Sequence, residues 1–420
     1  MNRMKTSIVR GIILAFLGGS ALAGEHGDLT VDLRLRVETA DIDGLESADN
    51  ESARLRLGYF TKAFHGLKFG AEGEFTVPVS HGSYNAAGVH GDAAKSVIAD
   101  PESYDLDQLF AEYGFGKTSI KVGRQVITLD NHRFVGHVGW RQNRQTYDAV
   151  TIKDNTIDKL NLFYSYVDKV NRIFGSKAPS SGGNAGDTDS ESHLINGSYT
   201  VSDALKVTLY AYLLELDDVP APLSTDSYGI SAQGTLPFGE EVKFGYLAEY
   251  AMQEEAGDNP FDYDADYIHL SANSTVKGIK VAVGYELLGS DQSGVDTNGA
   301  PVFASFKTPL ATLHKFNGFA DRFLVTPAKG LEDFYISVST AIPVPNIGPV
   351  NATVAYHDFS TDEGGDDLGD EIDAVLVKAF KIDGVPGGFK AIAKYAAYSK
   401  GDTGADTDRF SFELNYSASF

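Results

Sequence analysis

The last eleven residues of the chain alternate strictly between two chemical characters. From Phe410 to Phe420, every second residue is apolar, and the residues between them are serine, glutamate or asparagine. Because successive side chains of a β-strand point to opposite faces, this segment predicts a strand with one apolar and one polar face. Soluble β-sandwiches and membrane β-barrels both contain such strands, so the pattern indicates an all-β fold without choosing between the two.

The chain ends on an aromatic residue, Phe420, whereas chain termini are usually polar and poorly ordered. In this respect the segment resembles the closing strand of bacterial outer-membrane β-barrels, whose terminal phenylalanine is part of the insertion signal. The resemblance implies that the barrel-assembly machinery recognises Phe420. It also implies that outer-membrane lipid and lipopolysaccharide surround the folded protein.

The amino terminus has the pattern of a secretory signal peptide. Three basic residues accompany an apolar run, Gly11–Gly19, and Ser20–Ala23 supplies a small-x-small cleavage site. The apolar run is too short to span a bilayer, which argues against a membrane anchor. We therefore predict a signal peptide over residues 1–23 and one barrel domain over residues 24–420, exported to the outer membrane of a Gram-negative cell.

The composition excludes several classes of protein. The predicted signal peptide carries three basic and no acidic residues, so its removal changes the formal net charge from −23 to −26. This acidity argues against nucleic acid as a partner. The chain has no cysteine and therefore no disulfide or thiol chemistry. Its 42% hydrophobic residues are too few for a helical membrane protein but suit a barrel in which every second residue faces lipid.

Period-two alternation recurs along the whole mature chain. Eighteen candidate strands begin near residues 29, 52, 67, 105, 118, 146, 157, 192, 205, 225, 241, 264, 279, 331, 349, 370, 389 and 408. Short turns and long polar loops alternate between them. This arrangement predicts a transmembrane antiparallel β-barrel with short periplasmic turns, long extracellular loops and both termini in the periplasm. Mixed faces over residues 146–154 and 370–381 leave sixteen strands as an alternative.

An exported β-sandwich or propeller would explain the alternation alone. It would not explain the regular exchange of short turns and long loops, nor the aromatic carboxyl terminus. Several tyrosines also share the apolar parity near strand ends, as an interfacial aromatic girdle would. They are Tyr164, Tyr166, Tyr250, Tyr285, Tyr395 and Tyr416. The sequence therefore favours the barrel.

A barrel of sixteen to eighteen strands leaves an aqueous channel, so the side chains inside it decide the function. The inward parity of the first two predicted strands carries Arg34 and Arg36, then Arg54 and Arg56. Two neighbouring arginine pairs would form a basic ladder on one wall. Acidic residues share the inward parity on several strands, so the arginines have an alternative role as structural ion pairs that stiffen the wall.

The densest basic cluster follows the fifth predicted strand, between Gly123 and Asp148. Its candidate selectivity residues are Arg124, Arg133, Trp140, Arg141, Arg144 and Asp148. Folded into the mouth of a pore, the guanidinium groups would bind carboxylate or sulfate groups, and Trp140 could stack on a sugar ring. Strict alternation would point Arg124 towards lipid, so we expect a β-bulge to return it to the lumen.

This cluster resembles the alginate-export family of outer-membrane porins, most clearly over Asn131–Asp148. A second segment, Thr308–Phe323, is similar to part of the same family. The resemblance implies an eighteen-stranded barrel, a monomer rather than a trimer, with an arginine-rich constriction that passes an anionic polysaccharide. By the same analogy Arg124, Arg133, Arg141 and Arg144 would set selectivity.

The loop over residues 289–330 is too long to be a simple connection. Thr308 as a cap, Pro309 at the first helical position and apolar residues at helical spacing from Leu310 to Phe323 predict a short amphipathic helix that is broken at Gly318. Its apolar face would pack on the inner wall as a second constriction element. The alternative is a folded external cap with no effect on transport.

Nothing in the sequence predicts a cofactor. The acidic loops lack the ligand spacing of a calcium loop, and the histidines lack the spacing of a zinc or copper site. No nucleophile motif or phosphate-binding glycine loop is present. We therefore expect a passive porin for small or chain-like anionic solutes, such as acidic sugars and alginate-like oligosaccharides, and not an enzyme. The alternatives are a surface receptor or adhesion barrel with a plugged lumen, and an outer-membrane hydrolase.

Overall fold

The computed structural model describes residues 24–80, 82–219, 223–238 and 242–420. The predicted signal peptide, residues 1–23, lies outside the described residues. The described chain forms a closed barrel of eighteen antiparallel strands. The prediction of an all-β transmembrane barrel with eighteen strands is therefore confirmed, and the alternative of sixteen is wrong.

The strands are numbered β1 to β18 in chain order. They span Gly27–Ile42, Ala48–Thr61, Leu67–Pro78, Ser103–Phe115, Thr118–Gln125, Thr146–Asp154, Leu160–Asn171, Asp187–Ser202, Leu205–Leu214, Thr225–Phe238, Val242–Glu255, Asp264–Val276, Ile279–Leu288, Leu331–Val344, Gly348–Ser360, Asp367–Phe380, Gly388–Ser399 and Thr407–Ser419. Short ladders in the loops join Phe261–Asp262 to Val295–Asp296 and Ser290–Asp291 to Ala304–Ser305.

The first and last strands close the barrel. β1 pairs with β18 in a register that places Leu35 opposite Leu414. Beyond the ladder, the backbone N–H of Phe420 donates to the carbonyl of Leu29 at 3.0 Å, and the N–H of Leu29 donates to the carbonyl of Phe420 at 3.1 Å. Closure satisfies the edge groups that an open sheet would expose, as lipid requires.

The alternation in the sequence becomes the two faces of the wall. On β1, the side chains of Leu35 and Val37 are 44% and 40% exposed, whereas Arg36 and Glu38 are 2% and 1% exposed. The apolar residues face the membrane and the charged residues face the lumen, the reverse of a soluble protein. In the part of the chain that is described, no helix is long and apolar enough to cross a membrane.

Two loops on the long-loop side fold into the barrel. We call residues 126–145, between β5 and β6, the first inner loop. We call residues 306–330, before β14, the second inner loop. Their backbones pair with each other, because the N–H of Gly136 donates to the carbonyl of Leu310 at 2.8 Å and that of Thr312 donates to His132 at 3.0 Å. Phe134 of the first inner loop and Leu310 of the second belong to one cluster of buried hydrophobic side chains inside the barrel.

The helix predicted to begin at Thr308 is wrong, although the segment does pack inside the barrel. Its only helical element is one 3-10 turn, Leu313–Lys315. Asn317, Gly318 and Asp321 have φ values of 55°, 83° and 60°, which an α-helix does not allow. Two backbone N–H groups that a helix would use internally, those of Phe319 and Ala320, bond instead to Asp373 and Glu371 of the barrel wall.

Candidate functional site

One side of the lumen is basic. Arg34 and Arg36 on β1 and Arg54 and Arg56 on β2 lie on the inner face, with Arg34 opposite Arg54 in the register. Arg36, Arg54 and Arg56 are buried. These arginines form ion pairs with carboxylates of the wall and the loops. The carboxylates are Asp32, Glu38, Glu74, Asp100, Asp107 and Glu413.

These wall arginines also hold the backbone of the first inner loop. Arg34 donates to the carbonyls of Gly139, Trp140 and Arg141 at 3.1, 3.0 and 2.9 Å. Arg36 donates to the same Trp140 carbonyl. A cationic donor to a carbonyl is stronger than a neutral one, so the loop is fixed to the wall through its main chain.

The arginines of the first inner loop are paired with acids as well. Arg133 lies 2.8 Å from Glu286. Arg141 lies 3.0 Å from Glu38 and 3.1 Å from Asp321. The pairs place both loop arginines inside the lumen, where they narrow it. Their charges are largely offset by their partners, so they do not present free cations to a solute.

Arg144 is also paired with acids, on the part of the wall formed by β3 and β4 and nearer the periplasmic end. Its guanidinium contacts the carboxylates of Glu72 on β3 and Asp107 on β4. Asp107 sits at a β-bulge, because the register between β3 and β4 shifts between Glu72 and Gly73. The bulge turns an extra carboxylate inward to meet the loop arginine.

Trp140 forms the centre of the contact between the two inner loops. Its ring stacks on His314 of the second inner loop, with centroids 3.3 Å apart and planes at 11°. The guanidinium carbons of Arg36 and Arg141 lie 4.4 and 3.9 Å from the ring centroid. His314 bonds to Asp321 at 2.7 Å through Nδ1. We call the meeting of Trp140 and Arg141 with His314 and Asp321 the constriction.

A second part of the wall, on β16, is acidic and holds the second inner loop by its N–H groups; β16 lies three strands from β1 around the barrel. The N–H of Ala320 donates to Glu371 at 2.7 Å, and that of Phe319 donates to Asp373 at 3.2 Å. A side chain at Gly318 would collide with the carboxylate of Glu371. The basic side chains of β1 thus bind carbonyls of the first inner loop, and the acidic side chains of β16 bind amides of the second inner loop.

Arg124 lies on the outer face, contrary to our prediction of a bulge. β5 pairs with both neighbours without a shift, which places Arg124 opposite Leu109 and Asp148. It keeps the parity of Val122, which is 50% exposed to the membrane side. Asp148 accepts two hydrogen bonds from Arg124, at 2.7 and 2.8 Å. This pair satisfies both charges near the outer end of the strands, so neither side chain enters the lumen.

A cavity of about 950 Å³ opens on the extracellular side of the constriction, and we call it the vestibule. Trp140, Arg141, His314 and Asp321 form part of its lining. Most of its wall comes from apolar side chains of the long loops. They include Phe174, Leu223, Phe261, Tyr263, Phe303 and Leu324.

Two cations of the vestibule were missed by the sequence analysis. Arg172 follows β7 directly, and Lys307 lies in the second inner loop; both line the vestibule. Arg172 donates to the carbonyl of Gly183 at 2.9 Å, and the ammonium of Lys307 donates to Ser305 and to the carbonyl of Thr326 at 2.6 and 3.0 Å. Within the described ranges, neither cation has a carboxylate within 4.0 Å.

Burial lowers the pKa of both groups, that of Lys307 to about 8. The physical cause is loss of water without gain of a counter-ion. An anion in the vestibule would restore the missing partner. Arg172 lies near Lys177 in a loop without acidic residues, and Lys307 shares its loop with Lys315, Arg322 and Lys329, so no local pattern distinguishes either residue in the sequence.

The closed barrel, the charged lumen and the two inner loops define an outer-membrane porin, and the protein is a solute channel of the Gram-negative outer membrane. The alginate-export family model matches residues 25–215, which confirms the resemblance noted over Asn131–Asp148, whereas the second segment, Thr308–Phe323, lies outside the matched residues. That match covers the first inner loop and the basic wall. A search of curated protein sequences finds no significant match.

Solved structures show the same fold. OccAB4 of Acinetobacter baumannii has a TM-score of 0.71 and 17% identity, over 94% of this chain and 99% of that chain. OpdK of Pseudomonas aeruginosa, solved with vanillate, has a TM-score of 0.70 and 13% identity over the same shares. OpdL of Pseudomonas aeruginosa has a TM-score of 0.68 and 17% identity over the same shares. The proteins that this chain resembles are channels rather than enzymes.

Proposed function

We propose that this protein is a passive channel that favours small anionic solutes, among them acidic sugars and short acidic oligosaccharides. The observation that carries the proposal is the pair of half-buried cations in the vestibule, Arg172 and Lys307, which have no carboxylate partner in the described residues. A buried charge without a partner is costly, and an anionic solute supplies that partner.

The constriction has a different role in this proposal. Its arginines, Arg36 and Arg141, are already paired with Glu38. They set the width and shape of the passage by holding Trp140 against His314. A solute that reaches the constriction meets the ring of Trp140 and the ion pairs around it. A carboxylate of the solute can replace Glu38 as the partner of an arginine with little change in free energy.

The walls of the vestibule extend the range of solutes that we propose. Phe174, Phe261 and Phe303 line it beside the two cations. An apolar wall with a few placed cations fits a carboxylate that carries an apolar or aromatic body. The OpdK structure was solved with vanillate, an aromatic carboxylate, which supports adding this class to the acidic sugars.

A receptor or adhesion barrel with a plugged lumen is the second candidate. The observation that favours it is that both inner loops fold into the lumen and pair with each other, with Ala320 bonded to Glu371 and Trp140 bonded to Arg34. A plugged barrel would give no ion current in a planar bilayer.

The vestibule cations are expected to set the preference of the channel for anions. Replacing Arg172 and Lys307 together by glutamine is expected to lower the chloride-to-potassium permeability ratio several-fold, because a basic cleft concentrates anions at its entrance. The measurement is the reversal potential in a potassium chloride gradient. Uptake of a small carboxylate into liposomes should slow, while uptake of an uncharged solute of equal size should not.

Lys329→Gln is the matched control. Lys329 lies in the same loop as Lys307, but it pairs with Asp366 at 2.7 Å and does not line the vestibule. Its replacement should leave the permeability ratio within about twofold of the native value, because an exposed ion pair contributes little. An equal change in both variants would show that the vestibule cations have no special role.

A further inference from the structure

The periplasmic half of the lumen carries a ring of lysines that lies apart from the vestibule and the constriction. Each lies on the inner face, within four residues of the periplasmic end of its strand. The ring consists of Lys68, Lys121, Lys153, Lys206, Lys243, Lys280 and Lys390.

Strand parity establishes that these side chains point inward. On β13, Ile279 and Val281 are 47% and 41% exposed on the membrane face, so Lys280 between them faces the lumen. On β9, Leu209 is 58% exposed on the membrane face, and Lys206 has the opposite parity. The same argument holds on the other five strands, where the neighbouring residues are apolar and face lipid.

The lysines of the ring are poorly matched by acids. Lys121 lies 4.0 Å from Glu112, which also faces Lys68 across the β3–β4 register. For the other six, no carboxylate lies within 4.0 Å in the described parts of the chain. Among the residues that the structure describes, the other inward acids near this end are Asp28 and Asp32, and Asp32 is paired with Arg54.

This end of the lumen therefore differs from the middle. At the constriction every arginine has a carboxylate partner, whereas the ring presents several free ammonium groups to water. The contrast is large because the whole chain has a formal charge of −23. Charges of one sign inside a tube with low-dielectric walls focus their field along the axis and raise the local concentration of counter-ions.

We propose that the lysine ring is a binding site for multivalent anions at the periplasmic mouth, separate from the vestibule. Lysine ammonium groups are mobile point charges on long stems, so several of them can contact one solute together. A monovalent anion gains one such contact, whereas an anion with several carboxylates or phosphates gains many. The site therefore selects by valence, and it does so from the periplasmic side. This inference rests on the proposed anion channel and adds a second anion site to it.

The test is side-dependent block of the ion current by tripolyphosphate. The full-length protein is inserted into a planar bilayer, and tripolyphosphate is added to one face and then, in a separate experiment, to the other. We expect the half-blocking concentration to be about tenfold lower on one face, as counter-ion concentration in a charged cleft predicts. In a variant with Lys153→Gln, Lys206→Gln and Lys280→Gln, block from that face should weaken to the level of the other.

A matched variant removes the same number of charges from the same end of the protein. It carries Lys117→Gln, Lys159→Gln and Lys277→Gln, three exposed lysines in the periplasmic turns and not on the lumen wall. It should keep the asymmetric block, because charges outside the tube are screened by salt. Native insertion and conductance in both variants exclude a folding defect.

The outcomes separate this inference from the proposed function. Equal block from both faces of the native channel, or an asymmetry that survives in the ring variant, would overturn the ring as a binding site. Loss of asymmetry in the turn variant would overturn it as well. A native channel without anion preference would instead contradict the proposed function, whatever the ring variant does.

Discussion

Replacing Glu38 by glutamine is expected to raise the single-channel conductance and to make the current noisy. Glu38 is 1% exposed and lies 2.7 Å from Arg36, 3.0 Å from Arg141 and 2.7 Å from Arg409. One carboxylate therefore links two strands of the basic wall to the first inner loop. Removing it leaves three buried guanidinium groups short of a partner, which costs about 3–5 kcal/mol.

This cost falls mainly on the loop. The barrel wall is held by backbone ladders on both sides of β1, whereas Arg141 and Trp140 depend on side-chain contacts to stay in the lumen. In the Glu38→Gln channel we expect the first inner loop to leave the constriction for part of the time. Single-channel recording should show larger and fluctuating steps.

Glu112→Gln is the control for the Glu38 experiment. Glu112 also faces the lumen, but its one ion pair, with Lys121, is 4.0 Å long and partly exposed. Its loss should change the conductance only slightly, because screened pairs contribute about 0–1 kcal/mol. Steps of native size and stability in the Glu38→Gln channel would show that the carboxylate does not hold the loop.

Acidification should open the constriction by a separate route. Burial, together with the neighbouring ammonium of Lys394, lowers the pKa of His314 to about 3. Neutral His314 donates from Nδ1 to Asp321 and accepts from Lys394 at Nε2. If the second inner loop left the constriction, water would surround His314 and its imidazole would return to its ordinary pKa near 6.5. We call this the released state. The released state therefore binds the proton more tightly than the closed state.

The sign of the pH effect follows from this difference. Between pH 6.5 and about pH 3 the released loop holds more protons, so the closed state loses stability as the pH falls. At pH 4 the loss from His314 is about 3 kcal/mol. Asp321 acts in the same direction only below its ordinary pKa, because its own pKa is lowered by His314 and the nearby arginines. Conductance should therefore rise between pH 6.5 and pH 4.

His314→Phe isolates this effect. Phenylalanine keeps a ring against Trp140 but cannot take a proton, so the conductance of this variant should stay nearly constant between pH 6.5 and pH 4. A native channel with constant conductance over this range, or a His314→Phe channel that responds to acid like the native one, would refute the mechanism.

Much of the fold could be predicted because lipid imposes a simple rule on the sequence. Every residue of a barrel strand faces either lipid or lumen, so the apolar parity of a strand such as β18 marks its outer face. The same rule placed Arg34, Arg36, Arg54 and Arg56 on the inner face without any structure. The strand count followed from the regular exchange of short turns and long loops.

The interior could not be predicted in the same way. The partners of Arg133 and Arg141 are Glu286 and Asp321, which lie far along the chain and meet them only in the closed barrel. The predicted helix after Thr308 failed for a related reason. Its amide groups found stronger acceptors in the carboxylates of the wall than in their own backbone.

Single residues were the hardest to interpret. Arg124 was predicted to enter the lumen because it belongs to an arginine-rich motif, but its partner Asp148 satisfies it on the outer face. Lys307 was overlooked because its significance comes from what is missing around it. An absent counter-ion leaves no mark in the local sequence.

The most direct test of the account is the reversal potential of the native channel in a planar bilayer with a potassium chloride gradient. A conducting, water-filled barrel with unpaired cations in the vestibule predicts clear current steps and a reversal potential displaced towards that of chloride. A reversal potential displaced towards that of potassium would contradict the anion preference. A bilayer that contains the inserted protein but shows no steps would contradict the open channel itself.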